Sequence, residues 1–406
     1  MGTRPPPHPI NGLTRVGIAL EVGAWGASKA RRQSRFFWWL CWRRSRQHNH
    51  QKRHQEELRS SSRVCWYRAV GQKGNSVRRV GIVGGGGMGN WHASRWRGLP
   101  VELTGFYDID QARAGALAAK HGGQAFASTE ELLTSSDIVD ICTPPTEHAA
   151  TTIAAARAGK HVVCEKPIAR HLGDAQAMIA ACESAGVRLF VAHVVRFFPE
   201  FARAKAVLDS GALGRLGVVR SVRGGAPPGH SGWFADIEQS GGVTLDVAIH
   251  DIDYQRWLCG EVARVFARGL TFRGLSVDHV LMTLRFAGGA IGHIEGSWAF
   301  PAGNFRTFLE LAGTQGLLAH DSDEAQPLRV QYHAGAAPSS AIGDMAPLDD
   351  DPYFKEFQHF LQALDSGSDF LVTPRDALAA LRVALAAIES LRSGRPVDVA
   401  TFEEAL

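Results

Sequence analysis

A glycine-rich turn between a short apolar run and a helix-compatible segment is the feature that most constrains this chain. The run RVGIV at 79–83 predicts a buried strand, and GGGGMG at 84–89 follows it directly. Gly84, Gly86 and Gly89 fit the pattern GxGxxG, in which glycines allow a tight turn, a close approach to a pyrophosphate and close packing of helix on strand. The N–H groups of the next helix also favour bound phosphate. The sequence therefore predicts a phosphate-binding strand–turn–helix unit.

An acidic residue stands where such a unit holds a ribose. The run 101–107 predicts a second strand, and Asp108 follows it at once. A carboxylate about 20 residues beyond the glycines binds ribose hydroxyls and repels the extra phosphate of NADP. Asp108 could instead only cap the helix that begins near Asp110. In its full context, the pattern favours a nucleotide site that takes NAD, with NADP less favoured.

Strands and helices continue to alternate up to residue 191. The predicted strands are 138–142, 161–164 and 187–191, and the predicted helices are 147–160 and 174–185. Such alternation predicts an α/β fold with a doubly wound parallel sheet that binds its ligand at the carboxyl ends of the strands. Two of these ends carry polar segments, TPPTEH at 143–148 and EKP at 165–167.

The pattern changes after residue 199 to longer strands. We predict a helix at 200–210, strands at 218–222, 262–272, 279–286, 290–297 and 306–312, and closing helices at 352–364 and 375–391. These elements indicate a large, mostly antiparallel sheet. We therefore expect a Rossmann dinucleotide-binding domain at 77–199 and an α+β domain at 200–406 that binds substrate and mediates oligomerisation.

A helix predicted after Gly241 and Gly242 gathers polar residues on one face. Asp246, His250 and Asp253 stand at positions i, i+4 and i+7 of this helix. A histidine flanked by carboxylates suits general acid–base chemistry, because its pKa can lie near the working pH. A metal site and a merely structural histidine are the alternatives. No further cluster of metal ligands is evident, so we expect no metal.

The charge of the chain is divided unevenly. Residues 1–76 hold 15 Lys and Arg against 3 Asp and Glu, whereas the remainder holds 29 against 37. An acidic body argues against general nucleic-acid binding, which depends on clustered positive charge. We interpret 1–76 as a disordered or untranslated extension. The alternatives are a membrane-surface or nucleic-acid segment and an export signal at Arg31 and Arg32.

Cysteine usage and hydropathy bear on the cellular compartment. The six cysteines form no CxxC pair, which indicates reduced thiols; they are Cys41, Cys65, Cys142, Cys164, Cys182 and Cys259. No run approaches the ~18 apolar residues that a membrane span requires. We therefore expect a soluble, cytoplasmic protein.

Three segments together resemble the glucose-fructose oxidoreductase / inositol dehydrogenase / MocA family. They are the glycine turn followed by His92, the TPPTEH segment, and GKHVVCEKP at 159–167. The resemblance extends over essentially all of 77–406. With the predicted nucleotide site, it implies NAD contacts from the following residues: Gly84, Gly86, Gly87, Met88, Gly89, Asp108, Thr143, Pro144, His148, Glu165 and Lys166.

The resemblance also implies catalytic residues. The family's lysine in the EKP element lies beside nicotinamide and substrate, and its Asp-x-x-x-His pair matches Asp246 and His250. We thus expect His250 to take the hydroxyl proton, Asp246 to orient His250 or a neighbouring hydroxyl, and Lys166 to align the substrate. The bond before Pro167 is often cis in the family. From their positions in the sequence we also expect substrate contacts from His193, Arg196, Trp233 and Asp253, with simple packing as the alternative for the first three.

The expected activity is hydride transfer between nicotinamide and a secondary alcohol or ketone of a sugar, cyclitol or related polyol. Two alternatives remain open: glycoside cleavage by transient oxidation and elimination, and a cofactor-binding regulator without catalysis. The family commonly uses the sheet of the second half as an interface, so we expect a homo-oligomer, either a dimer or a tetramer.

Overall fold

The computed structural model describes most of the chain beyond the basic extension. The described residues are 77–226, 232–234, 236–271, 278–301, 303–324, 328–332 (by backbone only) and 351–404. The extension 1–76 lies outside them, and its interpretation stays a prediction. Within the described residues, no helix is long and apolar enough to cross a membrane.

The first half of the body forms a six-stranded parallel sheet. Its strands are β1 (Arg78–Val83), β2 (Val101–Tyr107), β3 (Gln124–Ala125), β4 (Ile138–Ile141), β5 (His161–Glu165) and β6 (Leu189–Ala192). The strand order is β3-β2-β1-β4-β5-β6, the doubly wound arrangement of a dinucleotide-binding fold. Every residue of β4 is buried, as expected for a strand with helices on both faces of its sheet. The predicted Rossmann fold is confirmed.

Five helices connect these strands. They are α1 (Gly87–Trp96), α2 (Gln111–His121), α3 (Thr129–Ser135), α4 (His148–Arg157) and α5 (Leu172–Ala185). The sequence analysis did not predict α3 and β3, which are only seven and two residues long. Segments this short carry too few residues to show a hydrophobic period.

The second half forms an eight-stranded sheet. Its strands are β7 (Leu216–Gly224), β8 (Val262–Leu270), β9 (His279–Phe286), β10 (Ile291–Ser297), β11 (Arg306–Gly313), β12 (Gly316–Asp321), β13 (Leu328–Tyr332) and β14 (Val397–Asp398). The order is β13-β12-β11-β7-β10-β9-β8-β14, and all neighbours are antiparallel except β7 and β10. The predicted, mostly antiparallel sheet is confirmed, with β12, β13 and β14 as additional strands.

The remaining helices are α6 (Pro199–Asp209), α7 (Ile237–Ser240), α8 (Ile249–Cys259), α9 (Pro352–Ser366) and α10 (Pro374–Ser393). Helices α8 and α10 pack on one face of the eight-stranded sheet. Helix α9 packs instead against α1, and its Phe357 and Phe360 join Val80 and Trp96 in one buried cluster. The chain thus returns to the first sheet near its C-terminus.

One predicted helix begins differently from its expected form. A π-helical turn, Thr244–Ala248, precedes α8 and contains Asp246. Just before it, Gly241 has φ +69°, and a Cβ atom there would lie 2.1 Å from the Leu245 side chain. The wider turn shifts Asp246 relative to the residues of α8, and π-turns are frequent at functional sites.

Candidate active site

Four glycines of the turn have different structural roles. Gly84 has φ +107°, and a Cβ there would lie 2.6 Å from the backbone at the end of β4. A Cβ on Gly89 would lie 1.9 Å from the Gly84 carbonyl oxygen, so this glycine permits the close approach of α1 to β1. By contrast, a Cβ on Gly86 or Gly87 would meet nothing within 4 Å. Open space beside exposed backbone at the start of a helix fits a bound pyrophosphate. Met88 is partly exposed on the same turn.

Asp108 lies against this turn. The Gly85 N–H donates to Asp108 Oδ2 at 2.6 Å, and the Asp110 N–H donates to Oδ1 at 2.8 Å. The N-cap of α2 is Asp110, whose carboxylate accepts a hydrogen bond from the Ala112 N–H. The capping role that was an alternative for Asp108 therefore belongs to Asp110. Asp108 is placed at the glycine turn, where the nucleotide prediction requires a carboxylate.

His148 links two strand ends inside the protein. Its ring is fully buried, with Nε2 2.9 Å from the Thr143 carbonyl oxygen and Nδ1 3.0 Å from that of Pro167. Burial lowers the pKa of this imidazole. Both nitrogens face backbone oxygens, so neither is left for the cofactor contact that we expected. His148 instead holds the segment beginning Thr143-Pro144 close to the cis bond between Lys166 and Pro167.

Glu165 belongs to a buried hydrogen-bond network. Its Oε1 lies 3.0 Å from His92 Nε2, and its Oε2 accepts the Lys166 N–H at 2.9 Å. The other nitrogen of His92 lies 3.0 Å from Asp140, which also accepts the Trp96 indole N–H at 2.7 Å. Both Glu165 oxygens are thus occupied within the protein. This arrangement indicates a role in holding the Lys166 backbone, and the cofactor contact that we expected from Glu165 stays a prediction.

Electrostatic interactions in this network keep His92 and Glu165 charged. Burial alone would lower the pKa of His92, but Asp140 outweighs it, and the pKa lies well above its usual value. Burial alone would raise the pKa of Glu165, but the His92 hydrogen bond outweighs it and lowers that pKa. An imidazolium between two carboxylates follows, donating from both nitrogens.

Three possible metal ligands meet in the same place. The nearest donor atoms of His92, Asp140 and Cys142 all lie within 4.8 Å of one another. Burial raises the pKa of the Cys142 thiol to about 12, so it remains protonated at neutral pH. The hydrogen bonds described above already satisfy His92 and Asp140, so the cluster is explained without an ion. The expected absence of a metal stays a prediction.

Lys166 and Asp246 form the pair that joins the two halves of the body. The Lys166 ammonium donates to Asp246 Oδ1 at 2.9 Å and to the Asp246 carbonyl oxygen at 2.7 Å. Both side chains are about one-fifth exposed, 16% and 23%. The charged pair therefore borders the crevice at the carboxyl end of β5 without being closed off from it.

His250 lies close to this pair and is neutral. Burial lowers the pKa of His250 well below its usual value, and the nearby Lys166 and Arg223 lower it further. Its Nδ1 is buried and has no hydrogen-bond partner among the described residues. Asp246 makes its hydrogen bonds with Lys166, and no direct bond to His250 is present. The expectation that Asp246 orients His250 is therefore not supported; Asp246 orients Lys166.

Arg196 and Asp253 are paired with each other inside the protein. They form a two-pronged ion pair, with Arg196 Nη2 to Asp253 Oδ1 at 2.6 Å and Nε to Oδ2 at 2.9 Å. Their exposed fractions are 3% and 0%, and Arg196 also donates to the Leu371 carbonyl oxygen. A buried pair of this kind has few hydrogen-bonding groups left for a substrate. The direct substrate contacts that we expected from Arg196 and Asp253 are therefore not supported by this structure.

The other two expected substrate contacts differ in position. His193 is fully buried, and its ring centroid is 6.4 Å from that of His250. Trp233 is half-buried and stacks on Phe234. The neighbouring residues 227–231 and 235 lie outside the described part of the chain, so the role of Trp233 stays a prediction.

The sequence analysis missed Asp140 and Glu356 and gave Tyr353 no role. The ring of Tyr353 contacts Trp91 and His92, and Glu356 is fully buried with neither carboxyl oxygen bonded to a described residue. A signal for Glu356 was available. It stands three residues after Tyr353 and just before Phe357, on the apolar face of a helix, where a carboxyl group is unusual.

The fold and the glycine turn define a dinucleotide-binding protein, and comparison with known proteins identifies its class as oxidoreductase. Residues 78–193 match the family model described as "Oxidoreductase family, NAD-binding Rossmann fold", and residues 201–319 match "GFO/IDH/MocA C-terminal domain". The chain belongs to the Gfo/Idh/MocA family of oxidoreductases. The resemblance inferred from its motifs is confirmed.

Individual relatives are dehydrogenases of related polyols. An inositol 2-dehydrogenase of Rubrobacter xylanophilus is 32% identical over 82% of this chain and 96% of its own. A myo-inositol 2-dehydrogenase of Thermotoga maritima is 30% identical over 79% of this chain and 98% of its own. The solved levoglucosan dehydrogenase in complex with NADH and levoglucosan superposes with a TM-score of 0.70 at 26% identity, covering 80% of this chain and 99% of that one.

Proposed function

We propose that this protein moves a hydride between NAD and a secondary alcohol or ketone of a sugar, cyclitol or related polyol. One observation carries the proposal: Lys166 forms an ion pair with Asp246 at the carboxyl end of β5, and His250 follows Asp246 by one helical turn. The substrate class rests on relatives named for inositol and levoglucosan. Bound NAD supplies the hydride acceptor, and the protein supplies position and proton transfer.

His250 acts as the general base in the oxidative direction. Because its pKa is lowered, its imidazole is neutral at pH 7 and can accept the hydroxyl proton. The oxidation rate therefore stays constant as the pH falls, until the pH drops below this lowered pKa. In the reductive direction, His250 must first be protonated, so low pH favours reduction.

Lys166 stabilises negative charge that develops on the substrate oxygen. Its ammonium is held by two hydrogen bonds to Asp246, which limits the positions it can take. A fixed cation beside the reacting oxygen favours the alkoxide-like state over the alcohol. Asp246 thereby acts as a positioning residue for Lys166.

Asp108 selects NAD over NADP in this proposal. Its carboxylate lies at the glycine turn, hydrogen-bonded to Gly85, where the adenosine ribose of a dinucleotide binds. A ribose phosphate there would meet a negative charge at close range. Replacing Asp108 with serine should therefore reduce the preference for NAD over NADP.

The test is a spectrophotometric screen of the full chain against cyclitols, aldoses, uronates and nucleotide sugars, each with NAD and with NADP. We expect turnover with NAD, and a loss of about 10²- to 10⁴-fold in kcat for His250→Asn. The matched control is His171→Gln, which removes a half-exposed histidine that pairs with Glu404 on the surface. Calorimetry should show equal NAD affinity for all three proteins.

Two outcomes would redirect the proposal. Product formation without net NADH would favour glycoside cleavage by transient oxidation and elimination. Tight NAD binding without turnover of any substrate would favour a cofactor-binding regulator.

We also propose that the protein is a cytoplasmic homo-oligomer that associates through the outer face of its eight-stranded sheet. Leu281 and Ile291 are exposed on that face, 51% and 43%. A shallow groove beside them is lined by Phe266, His293 and Phe308, among others. Apolar side chains on an open sheet face are typical of an interaction surface. The division of the body at residue 199 is part of the same proposal.

A further inference from the structure

His193 is a buried histidine that the proposed mechanism does not use. Its exposed fraction is 0%, and both ring nitrogens are buried without a hydrogen-bond partner among the described residues. Leaving a buried polar group unbonded destabilises the folded protein. Two such atoms on one ring indicate that His193 has a partner beyond the described residues.

Another buried polar atom without a partner belongs to the proposed base. Nδ1 of His250 is likewise buried and without a partner, and the two rings meet nearly at right angles with centroids 6.4 Å apart. The rings do not bond each other. Two hydrogen bonds of about 2.8 Å through one oxygen atom can span such a gap. A water molecule in a polar site with several partners is a normal component of a protein interior.

We infer that His193 orients His250 through one bridging water, and so fixes which nitrogen of the base accepts the substrate proton. The inference rests on the proposed function of His250. His193 is a positioning residue in it, because it does not touch the reacting atoms.

Asp253 biases the tautomer of His193 by its charge. Its Oδ2 lies 4.0 Å from His193 Nδ1, too far for a hydrogen bond, but a carboxylate on that side favours the N–H of a neutral ring at Nδ1 and the lone pair at Nε2. The Arg196 ion pair keeps Asp253 ionised and in place. The water then donates to His193 Nε2 and accepts the N–H of His250 Nδ1. Nε2 of His250 is thereby left as the acceptor.

The proton step balances with these assignments. The substrate O–H bond breaks, the N–H bond at His250 Nε2 forms, and the hydride leaves the same carbon for NAD. His250 becomes an imidazolium whose Nδ1–H remains on the water, and His193 stays neutral. Burial lowers the pKa of His193. Asp253 raises this pKa and Arg196 lowers it, so the two charges oppose each other. The net lowering agrees with a neutral ring.

Other charged groups face the two rings and stay in place in the tests. Lys166 follows β5, and Arg223 on β7 is paired with Asp251 at 2.7 Å. Glu165 also acts on His193 across the crevice. None of these groups bonds Nδ1 of His250, so replacing His193 alone removes the proposed orienting contact.

The first test measures the tautomer of His250 without substrate. In the full-length protein labelled with ¹⁵N-histidine, at neutral pH, we expect the proton of His250 on Nδ1; the His250→Asn spectrum assigns the signals. In His193→Leu the proton should move to Nε2, where crevice water accepts it. A wild-type His250 with its proton on Nε2 would overturn the inference. Since no turnover is involved, this result is independent of the proposed function.

The second test compares two replacements of His193 in the full chain. His193→Leu removes the acceptor, and we expect kcat to fall about 10- to 100-fold with unchanged NAD affinity. His193→Gln keeps an acceptor oxygen and should restore part of this loss. Equal kcat for His193→Leu and wild type contradicts the inference even where the dehydrogenase activity is established. So does an equal loss in both variants, which indicates packing alone.

Discussion

Glu356 shows how one side chain can carry chemistry that its position in the sequence only hints at. It lies in α9 with its carboxyl group fully buried, near Glu165, His92 and Asp140. Burial raises the pKa of Glu356 well above its usual value, and Glu165 raises it further. The group is therefore a neutral acid in the folded protein at pH values where the unfolded chain has already lost the proton.

This raised pKa predicts a pH-dependent stability. Above the unfolded pKa the folded state binds the extra proton, so this contribution falls as the pH rises, until the folded group itself ionises. Glu356→Gln removes the dependence. Between the unfolded and the folded pKa of Glu356, the free energy of unfolding of the wild type should fall by about 1.4 kcal/mol per pH unit relative to the variant.

Urea unfolding of both proteins at pH 5, 6, 7 and 8 measures the difference. Glu404→Gln serves as a control, because Glu404 lies in the C-terminal segment and pairs with His171. A stability difference between wild type and Glu356→Gln that does not change with pH would show that the carboxyl group is not held neutral.

At the scale of elements, the turn from β1 to α1 separates glycines needed for folding from glycines needed for binding. Gly89 lets α1 approach the Gly84 carbonyl, whereas Gly86 borders open space. Gly86 also has φ −74°, which alanine adopts without strain. Glycine thus has two different roles in this motif, because Gly89 permits packing and Gly86 leaves space for a ligand.

We predict opposite effects of alanine at these two positions. Gly86→Ala should keep the free energy of unfolding within about 0.5 kcal/mol of wild type but weaken NAD binding at least about tenfold, because its methyl group enters the pyrophosphate space. Gly89→Ala should lower the free energy of unfolding by about 1–3 kcal/mol or more, because its methyl group overlaps the backbone at Gly84. Thermal unfolding and calorimetric titration with NAD measure both effects. Normal NAD affinity in Gly86→Ala would contradict the proposed place of the pyrophosphate.

At the scale of the whole molecule, the two sheets share a hydrophobic core. One buried cluster contains Val139 and Ile141 of the first sheet, Ala384 of α10, and Val265 and Met282 of the second sheet. On the opposite face of the second sheet, Leu281 and Ile291 are exposed. Residues alternate along β9, so Met282 points into the core while Leu281 remains exposed.

This alternation predicts the effect of a charge on the outer face. Leu281→Lys should lower the oligomeric mass measured by light scattering after size-exclusion chromatography, while NAD affinity stays unchanged. Val77→Lys is the matched control, since Val77 is also exposed, 61%, but lies ahead of β1. A monomeric wild type, or an unchanged mass for Leu281→Lys, would place the interface elsewhere or remove it.

Local pattern alone was enough to predict the fold class and to indicate where a nucleotide site would lie. The glycine turn and Asp108 lie within 25 residues of each other, and the requirements on them are those of backbone geometry and charge. The alternation of strands and helices likewise follows from hydrophobic period. Both are properties of neighbouring residues, so they can be inferred before the chain is folded.

The partners of the site residues were decided only by the tertiary structure. Periodicity placed Asp246, His250 and Asp253 on one helical face, but it does not say what packs against that face. The fold brings Lys166 to Asp246 across 80 positions of sequence and Arg196 to Asp253 across 57. Hydrogen bonds and burial depend on such long-range packing. Whether a charge faces the crevice or is neutralised inside the protein is therefore settled by the folded chain.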